Sequence, residues 1–296
     1  MRILDFLESR GIKYRKDVDT AAISSIKVGG IAKTAVYPRQ ISELCELIAF
    51  LSAEGIRYKV IGRCSNVYFF DGGYDGVLIS TSALGALDIT NGLMIAECGA
   101  PLGTVIRRAL EGGYRISSEL SGIPGSIGGA VYMNAGAYGA SISDIFESAE
   151  VFNVKTGQTV TLGNGDMNFS YRSSLLQSSP LYILRVSLRM NSYPREKTLE
   201  EMRYFLAKRK ASQPNLPSLG SFFKAFEDIS ASKLIDDAGL KGASVGGASV
   251  SKLHAGFIVN NGGATAKDVN ALAAKIEDEI MKKYSRRLQR EAEFCE

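Results

Sequence analysis

The stretch Gly122-Ile123-Pro124-Gly125-Ser126-Ile127-Gly128-Gly129-Ala130 sets four of the chain's 31 glycines around one proline. Glycine reaches backbone conformations closed to other residues and removes side chains from a surface, so such a run suits a loop whose backbone must approach a ligand closely. Its N–H groups suit a pyrophosphate, and a helical turn starting at Ser126 would add the partial positive charge of its N-terminus. Neither GxGxxG nor GxxxxGK[ST] occurs in a suitable context. Rossmann dinucleotide binding and P-loop phosphoryl transfer therefore lack their fingerprints.

At 296 residues the chain exceeds one ordinary domain, and two or three packed units are expected. No apolar run reaches the length that spans a bilayer, and Met1-Arg2-Ile3-Leu4-Asp5-Phe6 lacks the build of a signal peptide, so a cytoplasmic protein without a membrane partner is expected. The net charge of +4 is small and dispersed, which argues against nucleic acid as a partner. Cys45, Cys64, Cys98 and Cys295 form no CxxC pair and read as reduced thiols. His254 is the one histidine, so a multi-histidine metal site is excluded and no metal is expected. It reads as a packed residue preceding a strand.

Hydrophobic periodicity gives a mixed α and β order. Ile41, Leu44, Leu47, Ile48 and Leu51 predict an amphipathic helix stopped at Gly55, and residues 58–61, 76–79 and 93–96 read as strands. Leu102 to Leu110 predicts a helix ending at Gly112-Gly113. A hairpin is expected over 150–162 around Lys155-Thr156-Gly157, followed by a strand over 181–190. Ser192-Tyr193-Pro194 reads as a linker before a helix over 198–212 with Leu199, Met202, Phe205 and Leu206 on one face. Thr265 and Asp268 have capping-box spacing ahead of Val269, Leu272, Ile276 and Ile280, and residues 288–294 predict a closing strand.

The segment 122–139, GIPGSIGGAVYMNAGAYG, resembles the flavin-binding signature of the UDP-N-acetylenolpyruvoylglucosamine reductase family. The likeness continues in order through VGG at 28–30, Ser65-Asn66, FSYRSS at 169–174, LGSFFK at 219–224, LIDDAGLKG at 234–242, HAGFIVN at 254–260 and ATAKDV at 264–269. It implies an α+β fold: a two-lobed FAD-binding region of the vanillyl-alcohol-oxidase, or PCMH, type over 1–192, with lobes of about 1–82 and 83–192, and an α+β substrate-binding domain over 193–296. It further implies FAD held noncovalently, NADPH as electron donor, a UDP-sugar substrate, a place in peptidoglycan precursor synthesis, and a monomer. The tyrosine-bearing substrate loop of longer members is missing, so the shorter subtype is the better match.

By the same resemblance Gly62, Ser65, Asn66, Gly122, Ile123, Pro124, Gly125, Ser126, Gly129, Asn134, Gly136 and Ala137 seat the cofactor, and Tyr171 and Lys224 touch substrate. The implied catalytic set is Arg172, Ser221 and Glu291. Arg172 and a protonated Glu291 would stabilise an enediolate-like intermediate as the enol ether is reduced, and Ser221 would deliver a proton to the α-carbon. Two positions depart from the family pattern. Cys64 stands in a turn usually written GxGSN, where a positive φ would strain a cysteine, and Ala225 replaces the asparagine of FFKNP. A diverged flavin oxidase of the same superfamily, or a noncatalytic flavin- or nucleotide-sugar-binding paralogue, would carry the same motifs with changes at such places.

Overall fold

The computed structural model describes residues 3–296, and packing divides them into two compact units. The first comprises 3–16, 34–63 and 76–208; the second comprises 17–33, 64–75 and 209–296. The expected linear boundary near Tyr193 has its packing counterpart at 208/209. The reason lies in the helix Arg195–Ser212, whose first half is tied to the first unit: Glu201 accepts from Arg115 Nε at 2.8 Å, Ser118 Oγ at 3.0 Å and the Tyr193 hydroxyl at 3.2 Å. A proline-bearing linker marks where the helix begins, and these side-chain bonds decide which unit keeps it.

The first unit holds two hydrophobic cores. One gathers Leu44, Leu47, Ile48 and Leu51, the inner face of helix Ile41–Ala53, against Val77 and Ile79 of the strand Tyr74–Ser80. Gly55 follows at φ 65°, the left-handed C-terminal stop expected of it. The strands lie in the order Tyr14–Asp19, Ile31–Val36, Tyr74–Ser80, Tyr58–Ile61, with the last two parallel. The chain passes between units inside the first three of these strands. The second core packs the helix Leu102–Glu111 and the short helix Ile127–Tyr132 on a five-stranded sheet in the order Gln158–Gly163, Phe146–Asn153, Leu181–Arg189, Leu93–Glu97, Leu87–Thr90. The predicted hairpin is its edge, registered Val151 to Val160.

In the second unit a four-stranded antiparallel sheet runs Ser218–Ser221, Phe257–Asn260, Ala248–Val250, Ser244–Val245. Helix Ala266–Tyr284 lays Val269, Leu272, Ile276 and Ile280 into the core beneath it, and Thr265 and Asp268 form the expected capping box. Asp71, almost two hundred residues earlier, accepts the N–H of Ala266 at 2.6 Å and of Lys267 at 2.9 Å, satisfying two further first-turn donors with a charge that suits the helix dipole. Asp71→Ala is expected to destabilise the second unit by about 1–2 kcal/mol, read as a lower urea midpoint at unchanged slope.

Two elements differ from the sequence expectation. Residues 288–294 make a strand only over Glu293–Cys295, paired parallel to Val67–Phe69, with one isolated bridge from Arg290 to Phe223. The stripe Leu199, Met202, Phe205, Leu206 is half-covered, and Leu206 is 43% exposed. Among the described residues no helix is long and apolar enough to cross a membrane.

Candidate active site

In the first unit the strand Tyr58–Ile61 runs into Gly62, where a β-carbon would collide with Ser126 Oγ. The glycine thus lets this turn pack closely on the loop 121–126, and a side chain here would displace the Ser126 hydroxyl. Gly122 (φ 80°) and Gly125 (φ 148°) bend that loop into conformations reserved for glycine. Ile123 anchors it on the core, and Leu102 N–H donates to the Gly125 carbonyl at 3.0 Å. Gly122, Pro124 and Gly129 lie exposed, so a face nearly free of side chains is open to a ligand.

Ser126 caps the helix Ile127–Tyr132 as expected, its Oγ accepting from Gly129 N–H at 3.2 Å. Of the donors considered for an anion, those of the first helical turn are taken up within the chain. Ile127 N–H donates to the Ala100 carbonyl at 2.8 Å and Gly128 N–H to the Cys98 carbonyl at 2.9 Å. The helix start therefore offers no set of free first-turn donors, while the preceding loop presents exposed backbone at Gly122 and Pro124.

The rest of the motif forms a hairpin that the sequence reading missed. Gly136–Ala137 pairs with Ala140–Ser141 around Tyr138 and Gly139, which have φ of 54° and 88°. Positive φ at both turn positions is the two-residue geometry usually signalled by Asn-Gly, and tyrosine in the first place hid it. Asn134, also left-handed at φ 42°, is buried with both ends of its amide engaged: Nδ2 donates to the Ser170 carbonyl at 3.0 Å, and Oδ1 accepts from Ser143 N–H at 3.0 Å. Its side chain therefore braces the site.

Arg172 sits in the small turn it braces. Its φ is 53°, a conformation costing a residue with a β-carbon roughly 1–2 kcal/mol. Its Nη2 donates to the Gly136 carbonyl at 2.9 Å, and its guanidinium lies 5.0 Å from the ring centre of Tyr171, which is 54% exposed. The structure thus joins Arg172 and Tyr171 to the Gly136-Ala137 end of the glycine-rich segment.

The second unit assembles the other group. Ser221 ends the strand Ser218–Ser221 after Gly220 (φ 78°), and the next residue, Phe222, donates to the Gly256 carbonyl at 2.8 Å. The Phe222 carbonyl accepts from Glu291 N–H at 2.8 Å, and Lys224 N–H donates to the Gln289 carbonyl at 2.8 Å. Segments 221–224 and 289–292 are therefore zipped together, bringing Ser221, Lys224 and Glu291 onto neighbouring backbone. Asn66 closes the third side: its Nδ2 donates to the Glu291 carbonyl at 2.9 Å, and its own carbonyl accepts from Glu293 N–H at 2.8 Å. Ser221 is exposed, while Oε2 of Glu291 is buried from solvent. Ser65 lies half-buried in the turn before Asn66.

Cys64 has φ 47° and is 4% exposed, and its carbonyl accepts from Ser25 N–H at 3.0 Å. The glycine-like backbone of this turn is present with a cysteine in it. His254 accepts from Gly256 N–H at Nδ1 and packs edge-on to Phe257 at 4.8 Å, and burial holds its imidazole below the usual range, as befits a packing residue.

Sequence reasoning overlooked Arg290 and Gln177. Arg290 grips Glu277 through Nε at 2.6 Å and Nη2 at 3.0 Å and reaches Asn270 Oδ1 at 2.8 Å through Nη1, with Glu277 raising its pKa further. This two-pronged ion pair ties the segment bearing Glu291 to helix Ala266–Tyr284. Gln177 holds the carbonyl of Arg172 at 3.1 Å. Neither has a motif of its own, and only its position beside a chemistry-bearing residue could have drawn notice.

Residues 213–295 match the family described as the C-terminal domain of UDP-N-acetylenolpyruvoylglucosamine reductase, and residues 32–163 match the FAD binding domain family. The chain is 41% identical over 292 residues to the UDP-N-acetylenolpyruvoylglucosamine reductase of Caldicellulosiruptor bescii, covering 98% of this chain and 93% of the relative. It is 38% identical to that of Clostridium botulinum, covering 88% of this chain and 85% of the relative. The crystal structure of the Thermus caldophilus reductase superposes with a TM-score of 0.82 at 30% identity, over 96% of this chain and 99% of that one. The berberine bridge enzyme of Eschscholzia californica shares the fold over 66% of this chain and 44% of its own length, with a TM-score of 0.51 at 13% identity. The α+β architecture with a PCMH-type flavin region is thus the fold of this chain. A glycine-lined FAD-binding half and a C-terminal half zipped around Ser221 and Glu291, matched along almost the full length of such relatives, place the chain in the UDP-N-acetylenolpyruvoylglucosamine reductase family.

Proposed function

We propose that the protein reduces the enolpyruvyl ether of UDP-N-acetylglucosamine enolpyruvate to UDP-N-acetylmuramate, in peptidoglycan precursor synthesis, with noncovalent FAD and with NADPH as electron donor. The observation that supports this reading is the backbone pairing of 221–224 with 289–292, which brings the segments bearing Ser221 and Glu291 together in the C-terminal unit. The exposed backbone at Gly122, Pro124 and Gly129 and the glycine-only conformations at Gly122 and Gly125 fit a flat cofactor that must approach main chain closely. Within the first unit Gly62, Ile123, Ser126, Gly136 and Ala137 complete that seat, with Asn134 bracing it; Ser65 and Asn66 are assigned to the cofactor by the family resemblance.

Two-electron redox chemistry is what FAD supplies when bound. Arg172 offers a fork of N–H donors to a carboxylate and its enolised form. Glu291, one of whose carboxyl oxygens is buried, takes the role of an acid that donates to a developing oxyanion. Ser221 holds the proton destined for the α-carbon, and Lys224, on the same segment, touches substrate. Tyr171 gives substrate an exposed aromatic face. The protein works as a monomer in the cytoplasm, and its product serves wall synthesis, cell shape and division.

Purified protein is expected to be yellow, to release its flavin on acid precipitation, and to oxidise NADPH only when the enolpyruvyl sugar is present. Full flavin loading with no sugar-dependent oxidation overturns the reading.

A further inference from the structure

The turn carrying Arg172 is held from both sides. Left-handed backbone at an arginine persists only where its surroundings over-determine it, and such outliers gather where geometry serves function. Here the turn closes on itself, Ser170 N–H donating to the Ser173 carbonyl and Ser173 N–H to the Ser170 carbonyl, both at 3.2 Å. Asn134 holds the Ser170 carbonyl from the buried side at 3.0 Å. On the other side Gln177 Nε2 donates to the Arg172 carbonyl at 3.1 Å and to the Tyr132 carbonyl at 3.0 Å. Gln177 is itself seated, because its backbone N–H donates to the Ser174 carbonyl at 3.2 Å and its neighbour Leu176 is buried in the core. One exposed amide therefore links the end of the glycine-rich helix to the carbonyl of the residue that carries the guanidinium.

We propose that Gln177 is a positioning residue for Arg172, with Asn134 as the buried arm of the same clamp. By pinning the Arg172 carbonyl against Tyr132, Gln177 keeps φ positive and so keeps the guanidinium on the Gly136 carbonyl, at the end of the flavin segment. The inference rests on the reading of Arg172 as the group that stabilises negative charge developing on the substrate. Misplacing such a group by a fraction of its length is costly, because the charge it meets exists only in the transition state.

The test is a double-mutant cycle in the flavin-loaded enzyme. Gln177→Ala is expected to lower kcat by about 10- to 100-fold, with flavin content, KM for NADPH and the unfolding midpoint unchanged. Gln177→Glu keeps the shape but lacks the donor at neutral pH, and is expected to match it. In the Arg172→Ala background, Gln177→Ala should add no further loss, since its effect passes through the side chain already removed. By hydrogen exchange, the Ser170 and Ser173 amides should exchange faster in Gln177→Ala, a readout independent of turnover. Equal losses in both backgrounds, or wild-type kcat in Gln177→Ala beside an inactive Arg172→Ala, overturn the proposal. Wild-type turnover in Arg172→Ala overturns the reading of Arg172 and the clamp's purpose with it, a result distinct from the other two.

Discussion

Ser221→Ala is expected to lower sugar-dependent NADPH oxidation by about 10²–10⁴-fold while leaving the protein yellow and folded. The substitution removes one exposed hydroxyl and no backbone bond: the strand Ser218–Ser221 keeps its pairing, and the Phe222 bonds to Gly256 and Glu291 remain. What goes is the donor next to the Glu291 segment. A structural role for Ser221 would appear as a shifted unfolding midpoint with turnover nearly intact. Stopped-flow measurement sharpens the result, because flavin reduction by NADPH should keep its rate and only reoxidation by the enolpyruvyl sugar should slow. A variant retaining a tenth or more of wild-type kcat sinks the assignment of Ser221 as proton donor, and with it the present account of how the reaction ends.

Phe222→Ala should destabilise the second unit by about 3–5 kcal/mol, the usual cost of emptying a large buried aromatic site. Phe222 is fully buried, with its ring 6.0 Å from Tyr68 and 5.3 Å from Phe223. Burial also pushes the Tyr68 phenol up to about 12, and its hydroxyl is held by Asn270 at 2.9 Å, so Tyr68 cannot swing freely into the space left behind. Phe222→Leu retains most of the volume and should cost about 1.5 kcal/mol or less. Urea denaturation of the flavin-free protein, followed by tyrosine fluorescence, measures both. Because the carbonyl of Phe222 meets Glu291 N–H, the alanine variant should also lose more kcat than its residual folded fraction explains. Activity that simply tracks the folded fraction would show that the zipper tolerates loosening.

Elements whose signal is local were legible in the chain itself. Helices Ile41–Ala53 and Ala266–Tyr284 bury the apolar stripes their spacing displays, and Thr265 with Asp268 marks the second helix's start. The hairpin Phe146–Asn153 to Gln158–Gly163 follows from alternation around a short turn. Helix Arg195–Ser212 was readable as a helix, yet its stripe did not reveal its burial: among its residues Thr198 is the one fully buried. Amphipathic spacing says which side chains share a face, and only a partner surface determines whether that face is covered. The same limit applies at 288–294, where the sequence predicts a strand throughout and ladder pairing is confined to Glu293–Cys295.

The motif residues divide in the same way. Sequence by itself determined the order of the motifs, their glycine-rich chemistry and the family they resemble, because those depend on residue identity and spacing along the chain. Tertiary structure alone decided that Cys64, Asn134, Tyr138 and Arg172 adopt left-handed backbone, that Asn134 and Asn66 serve as braces, and that Gln177 and Arg290 belong beside the chemistry. At Cys64 and Arg172 the positive φ is supported by partners outside the turn, Ser25 for the first and Asn134 for the second. Those partners lie about forty residues away, and hydrogen bonds over such separations leave no mark in local spacing.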